Sequence, residues 1–135
     1  MALQLSVSAR NNRLDSLETT IGTSAILKIK SGAQPANCAA ADSGTVLATL
    51  NLPSDWLAAA SSGSKAKAGT WEDLSADAAG TAAHFRIYAS DGVTCHIQGS
   101  VTATAGGGDL ELDNVVLASG QAITITAFSL TDGNA

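Results

Sequence analysis

Two neighbouring stretches of alternating apolar residues, His84-Phe-Arg-Ile-Tyr-Ala89 and Thr94-Cys-His-Ile-Gln-Gly-Ser-Val101, flank a Ser90-Asp91-Gly92 turn. In extended chain, successive side chains point to opposite faces. Phe85, Ile87 and Ala89 therefore share one face, and His84, Arg86 and Tyr88 share the other. In the second stretch Cys95, Ile97 and Val101 stand opposite His96 and Gln98. A two-residue Asp-Gly loop sets Phe85 against Gln98 and mixes the faces, because a one-residue slip inverts every side chain. A three-residue loop with Gly92 left-handed pairs Ala89 with Val93, Ile87 with Cys95 and Phe85 with Ile97. The apolar faces then agree. The pattern predicts a half-buried antiparallel hairpin with His84, Arg86 and Tyr88 on its solvent side.

The remaining chain repeats this pattern in short pieces. Ala25, Leu27 and Ile29 alternate, as do Val46, Ala48, Leu50 and Leu52; further strands are expected around Lys67–Trp71, Asp109–Leu112 and Ala122–Leu130. In the last of these Ile123 and Ile125 have a parity that Phe128 and Leu130 do not share, and a bulge near Ala127 would restore one apolar face. Many short strands with Gly, Asp and Ser turns predict an all-β fold, an antiparallel β-sandwich or jelly roll. One helix precedes it. Leu14, Leu17 and Ile21 recur at helical spacing over Ala9–Ile21, with Asp15 and Glu18 expected outward and Gly22 as the stop. Leu3-Gln-Leu-Ser-Val7 alternates and suits a strand or an extended arm. The expected organisation is an N-terminal arm and short helix over 1–22 and a β-sandwich domain over 23–135.

Composition narrows the function classes. With 135 residues the chain has the length of one domain. Charged residues are 14%, against about 25% on average, and the seven basic ones are scattered in a chain of net charge −5. Nucleic-acid binding needs clustered Lys and Arg to displace counterions, so no nucleic-acid partner is expected. Nothing approaches the roughly 18 apolar residues of a membrane span, and no membrane partner is expected. Arg10, Arg13 and Glu18 stand where a secretory leader would place its apolar core, so retention in the cytoplasm of synthesis, or release by lysis, is expected. Cys38 and Cys95 are far apart and form no CxxC pair. Reduced thiols are the expectation in such a compartment, with a disulfide as the alternative outside the cell.

Reactive chemistry is sparse. Cys95 and His96 are adjacent in a strand and point apart, so the imidazole cannot activate the thiol. His84 and His96 have Arg86 between them, which repels a cation. Asp109, Glu111 and Asp113 share one face opposite Leu110 and Leu112; their spacing does not match a calcium loop, and a charged edge that blocks unwanted pairing explains them. Gly106–Gly108 belongs to no phosphate-binding motif and reads as a flexible loop. Serines lie in loops without a GxSxG context. No catalytic residue, metal ligand or cofactor is assigned, and no enzyme is expected. Trp56 and Trp71 suit core packing, with sugar stacking as the alternative.

Several stretches together resemble a family of small virion proteins from tailed bacteriophages and prophages: Pro35-Ala-Asn-Cys-Ala-Ala-Ala-Asp-Ser-Gly-Thr-Val-Leu-Ala-Thr-Leu, Leu52-Pro-Ser-Asp-Trp56, His84-Phe-Arg-Ile, His96-Ile-Gln-Gly-Ser-Val-Thr and the Gly106-Gly-Gly-Asp run to the C-terminus. Arg10-Asn-Asn-Arg-Leu-Asp-Ser-Leu-Glu resembles the same family. The resemblance implies a head decoration, or cement, protein, made in the bacterial host cytoplasm and placed on the capsid surface. Its implied partners are the major capsid protein and further copies of itself at a capsid symmetry axis. A tail or fibre module for attachment or host glycan binding, through Trp56, Trp71 or Tyr88, is the alternative. The candidate partner-binding residues are Leu3, Leu5, Val7, Arg10, Arg13, Leu14 and Leu17, on an arm that could lie across a neighbour. A helix capping the domain's own core is the competing reading of that segment.

Overall fold

The computed structural model describes residues 3–133. One helix, α1 (Val7–Ile21), is followed by eleven short strands: β1 (Ile26–Lys30), β2 (Val46–Asn51), β3 (Ser64–Ala66), β4 (Trp71–Asp73), β5 (Gly80–Thr81), β6 (His84–Tyr88), β7 (Cys95–Ala103), β8 (Leu110–Leu112), β9 (Val116–Leu117), β10 (Ile123–Ile125) and β11 (Ser129–Thr131). The fold is mainly β. Its largest sheet, ordered β2-β1-β6-β7-β8, curls into a half-barrel. Three two-stranded pairs, β4 with β10, β3 with β11 and β5 with β9, complete the structure.

The helix begins two residues before the expected Ala9 because Ser6 caps it, its Oγ accepting the Ala9 amide at 3.1 Å. Gly22 ends it at φ +91°, its amide donating to Glu18 O.

The hairpin of β6 and β7 keeps the expected apolar face but not the expected register. Gly92 is left-handed, at φ +70°. The connection is one residue longer than predicted, because the Ala89 amide donates to Thr94 O at 2.9 Å. Asp91 fixes it, accepting from the Val93 and Thr94 amides and from Thr94 Oγ1. Tyr88 then faces Cys95, and a slip leaves His96 extra before Ile87 meets Ile97 and Phe85 meets Gly99. Phe85 and Ile87 still enter the core, where they oppose Ile29 and Leu27 of β1. Cys95, by contrast, is turned onto the face of Arg86 and Tyr88.

The parity break near the C-terminus is resolved by division rather than by a bulge in one strand. β10 pairs with β4 and β11 with β3, so Ile123 and Ile125 on one side of the break, and Phe128 on the other, are all buried. An aromatic chain fills the centre: Trp56 and Trp71 centroids lie 6.0 Å apart, Trp71 and Phe128 5.3 Å, and Phe85 meets Phe128 edge-on at 5.8 Å. Both indole N–H groups donate to backbone, Trp56 to Gly22 O and Trp71 to Ala68 O.

β7 and β8 pair in parallel, a connection that ordinarily takes a dozen or more residues. Here the chain doubles back through residues 104–109. A Cβ at Gly106 or Gly108 would come within 2.7–2.8 Å of the Thr102 side chain, so the glycines let the loop lie on β7. Glu111 accepts from the Ala105 and Gly107 amides at 3.1 Å each. The run expected to be flexible is a bonded, packed turn.

Candidate functional site

Two regions outside the apolar core concentrate polar side chains: the seat of α1 and the loop that covers the outer face of β1, β6 and β7.

At the helix seat a lysine is buried. Lys65 on β3 is 1% exposed, and its ammonium donates to Asp15 Oδ1 (2.7 Å) and Ala58 O (2.8 Å) and pairs with Glu18 Oε2 (2.8 Å). Three partners satisfy its three donors. Asp15 and Glu18, expected to face outward, therefore turn inward, since a buried ammonium must be paired. Burial works against the charge, but the bonds from Asp15 and Glu18 hold the Lys65 ammonium protonated above its usual range. Asp15 is in turn held below the usual carboxylate range by Lys65 and by the Ala60 amide. Asn11 accepts the Gly63 amide, and Arg10 Nη1 donates to Asp132 O.

Of the seven candidate partner-binding residues, Leu14 is buried, Leu5 is half-buried, and Leu3, Val7 and Leu17 are 86%, 47% and 42% exposed. Arg10 is half-buried on Asp132, and Arg13 pairs with the Asp132 carboxylate at 3.2 Å. The structure brings Arg13, Leu14 and Leu17 together along a shallow groove closed by Thr131 and Asp132. Leu14 and Ile21 cover the domain, Ile21 as part of the core cluster; Leu3, Val7 and Leu17 stay open to water.

The second region overturns the expected solvent face of the hairpin. His84, Arg86 and Tyr88 are buried, as is Lys30, because residues 32–42 fold over them. Asp42 is the hub. Tyr88 Oη donates to Asp42 Oδ1 at 2.7 Å, Arg86 Nη1 donates to the same oxygen, and Lys30 Nζ stands 3.3 Å from Oδ2. Arg86 Nη2 donates to the carbonyls of Asn37, Cys38 and Ala40, and its Nε to Gln98 Oε1. Gln98 Nε2 donates to Pro35 O. The His84 Nδ1–H donates to Gly32 O at 3.0 Å; Nε2 is buried without a hydrogen bond. Burial opposes ionisation of Asp42, yet its bonds to Tyr88, Arg86 and Lys30 bring it down to about 2. Burial and the bond to Asp42 push the Tyr88 phenol up, and burial pushes His84 down. The cover consists of turn-forming residues without apolar periodicity, so the sequence pattern gives no sign of it.

The arrangement is structural in its chemistry: the guanidinium is turned to loop carbonyls and one carboxylate. Asp109 and Glu111 likewise bind backbone, Asp109 accepting from the Ser100 amide and hydroxyl, while Leu110 and Leu112 are buried behind them. No group of three or more His, Cys, Asp or Glu side chains that could hold a metal ion occurs among the described residues. Trp56, Trp71 and Tyr88 are fully buried and offer no ring face to a sugar. No helix among the described residues is long and apolar enough to cross a membrane. Comparison with protein-family models, curated proteins and solved structures finds no match to this chain.

Proposed function

We propose that this chain is a non-enzymatic structural protein of a tailed-phage virion, a decoration or cement protein that binds the major capsid protein on the outer surface of the head. The observation that supports this reading best is the seating of α1. Asn11, Asp15, Glu18 and Arg10 tie the helix to its own domain beside the buried Leu14 and Ile21, while Leu3, Val7 and Leu17 stay exposed, Leu17 at the Arg13–Asp132 groove. Apolar side chains left exposed on the helix and just before it suit contact with a neighbouring subunit. A sandwich-like closure of the half-barrel, and self-association at a capsid symmetry axis, belong to the same reading.

Binding to expanded empty heads is expected to persist at about 1 M salt, where exposed charges are screened within roughly 3 Å. Deleting residues 1–22 would remove Ile21 from the core and strip Lys65 of its carboxylates, so the binding test keeps the segment and changes only its exposed apolar side chains. The triple change Leu3→Ser, Val7→Ser, Leu17→Ser should keep the melting temperature and weaken head binding at least tenfold. Heads lacking the protein should lose resistance to heat. Equal heat resistance with and without the protein, together with its recovery on tails, would overturn the head assignment and favour the tail or fibre role.

A further inference from the structure

The slip that leaves His96 extra in β7 places Cys95 opposite Tyr88, on the face covered by residues 32–42. Cys38 lies in that cover, its carbonyl accepting from Arg86 Nη2 at 3.2 Å. The two cysteines are thereby neighbours under the cover, Cys95 on the face of Arg86 and Tyr88 and Cys38 bonded to Arg86 through its carbonyl, although 56 residues of chain lie between positions 38 and 95. Both are free and neither is fully buried.

We infer that Cys38 and Cys95 form a reversible redox lock, closing into an intramolecular disulfide that fastens the covering loop to β7 when a disulfide oxidant such as oxidised glutathione is present. The Cys38 thiolate attacks one sulfur of the oxidant and releases one glutathione thiolate. The Cys95 sulfur then attacks the Cys38 sulfur of the mixed disulfide and releases the second. The cysteines lose two protons and two electrons, and the oxidant becomes two glutathione thiols. Burial and the neighbouring Cys38 push the Cys95 thiol up, which keeps it protonated at neutral pH and slows the closing step. Closure is therefore slow near pH 7 and accelerates as the pH rises. The bond ties down the segment that carries Asp42, and so holds that carboxylate over Lys30 and Arg86. This inference does not depend on the virion reading.

The test is to incubate the native full chain with oxidised glutathione at pH 8 and, separately, with dithiothreitol. Peptide mapping should find a Cys38–Cys95 bridge and a mass about 2 Da lower. The bridged form should melt roughly 10 °C higher, since a long loop is closed in the unfolded state. Amide exchange over residues 36–42 should slow, and dithiothreitol should reverse both effects. Cys38→Ser and Cys95→Ser should each abolish these shifts while melting near the reduced parent. Glutathione stopped as a stable adduct on Cys38, bridges only between chains, no reaction, or a bridge formed only in denaturant would each overturn the lock.

Discussion

Lys65 and Arg86 are both buried cations in a chain with few charges, and the structure compensates them in opposite ways. At the helix seat one cation meets two carboxylates, Asp15 and Glu18. Under the loop two cations, Arg86 and Lys30, share the single carboxylate of Asp42, and the peptide carbonyls of the cover complete the coordination. The seat is locally negative and the cover locally positive. In each region the strand supplies the buried cation and a separate element brings the carboxylate, so an ion pair holds an added segment on the β framework. What differs is which partner water can reach. Lys65, Lys30 and Arg86 are enclosed, whereas the side chains of Asp15 and Asp42 are 47% and 46% exposed. Removing the cation from the seat leaves groups that rehydrate; removing the carboxylate from the cover leaves two that cannot.

That asymmetry sets the largest expected effect. Asp42→Ala strands Lys30 and Arg86 together and frees the Tyr88 hydroxyl, and it should cost about 3 kcal/mol, the lower end for breaking a buried ion pair because Asp42 already meets water. Urea unfolding measures it. Asp42→Asn keeps an acceptor for Tyr88 and should cost less than Asp42→Ala. A loss below about 1 kcal/mol would mean that the loop carbonyls alone suffice for Arg86.

Lys65→Met should cost less, about 1 kcal/mol, because an apolar chain of similar length fills the site and both carboxylates turn to solvent. Its signature is local. Amides of α1 should exchange faster while those of β6 stay protected. A larger loss than for Asp42→Ala would reverse the comparison and make the helix seat the stronger of the two.

Much of the framework is legible in the sequence because apolar parity decides it. Phe85, Ile87, Leu27 and Ile29 lie where alternation puts them, and so do Leu110 and Leu112. The two buried cationic sites are hidden for a common reason. A Lys or Arg in an alternating strand marks the solvent face unless something covers it, and the covering carboxylates come from 50 residues away for Lys65 and 44 for Arg86. No local rule links them. Helical spacing does carry one signal: it puts Asn11, Leu14, Asp15 and Glu18 on the same side of α1, so burial of Leu14 implies inward carboxylates. The hairpin departs from the expected register at Asp91, whose three bonds lengthen the loop by one residue and so displace Cys95 to the other face.

The smallest expected effect is a difference in acid response, and it separates the two regions cleanly. His84 lies against Gly32 with Lys30, Arg86 and Asp42 around it, and burial lowers its pKa from 6.5. The unfolded chain then takes up that proton first, so stability falls as the pH drops below 6.5. Asp42 and Asp15 are both lowered from 3.8, Asp42 to about 2. Their stabilisation is complete above 3.8 and is lost as each is protonated below it. Between pH 6.5 and about 4, then, the cover should loosen while the helix seat holds. Amide exchange at pH 7 and pH 5, corrected for intrinsic rates, should show protection falling over residues 32–42 and unchanged over α1. His84→Gln retains a donor for Gly32 O and does not titrate, so it should remove the difference. Equal loosening of both regions at pH 5, or a difference that survives His84→Gln, would show that the buried imidazole does not set the acid limit of the cover.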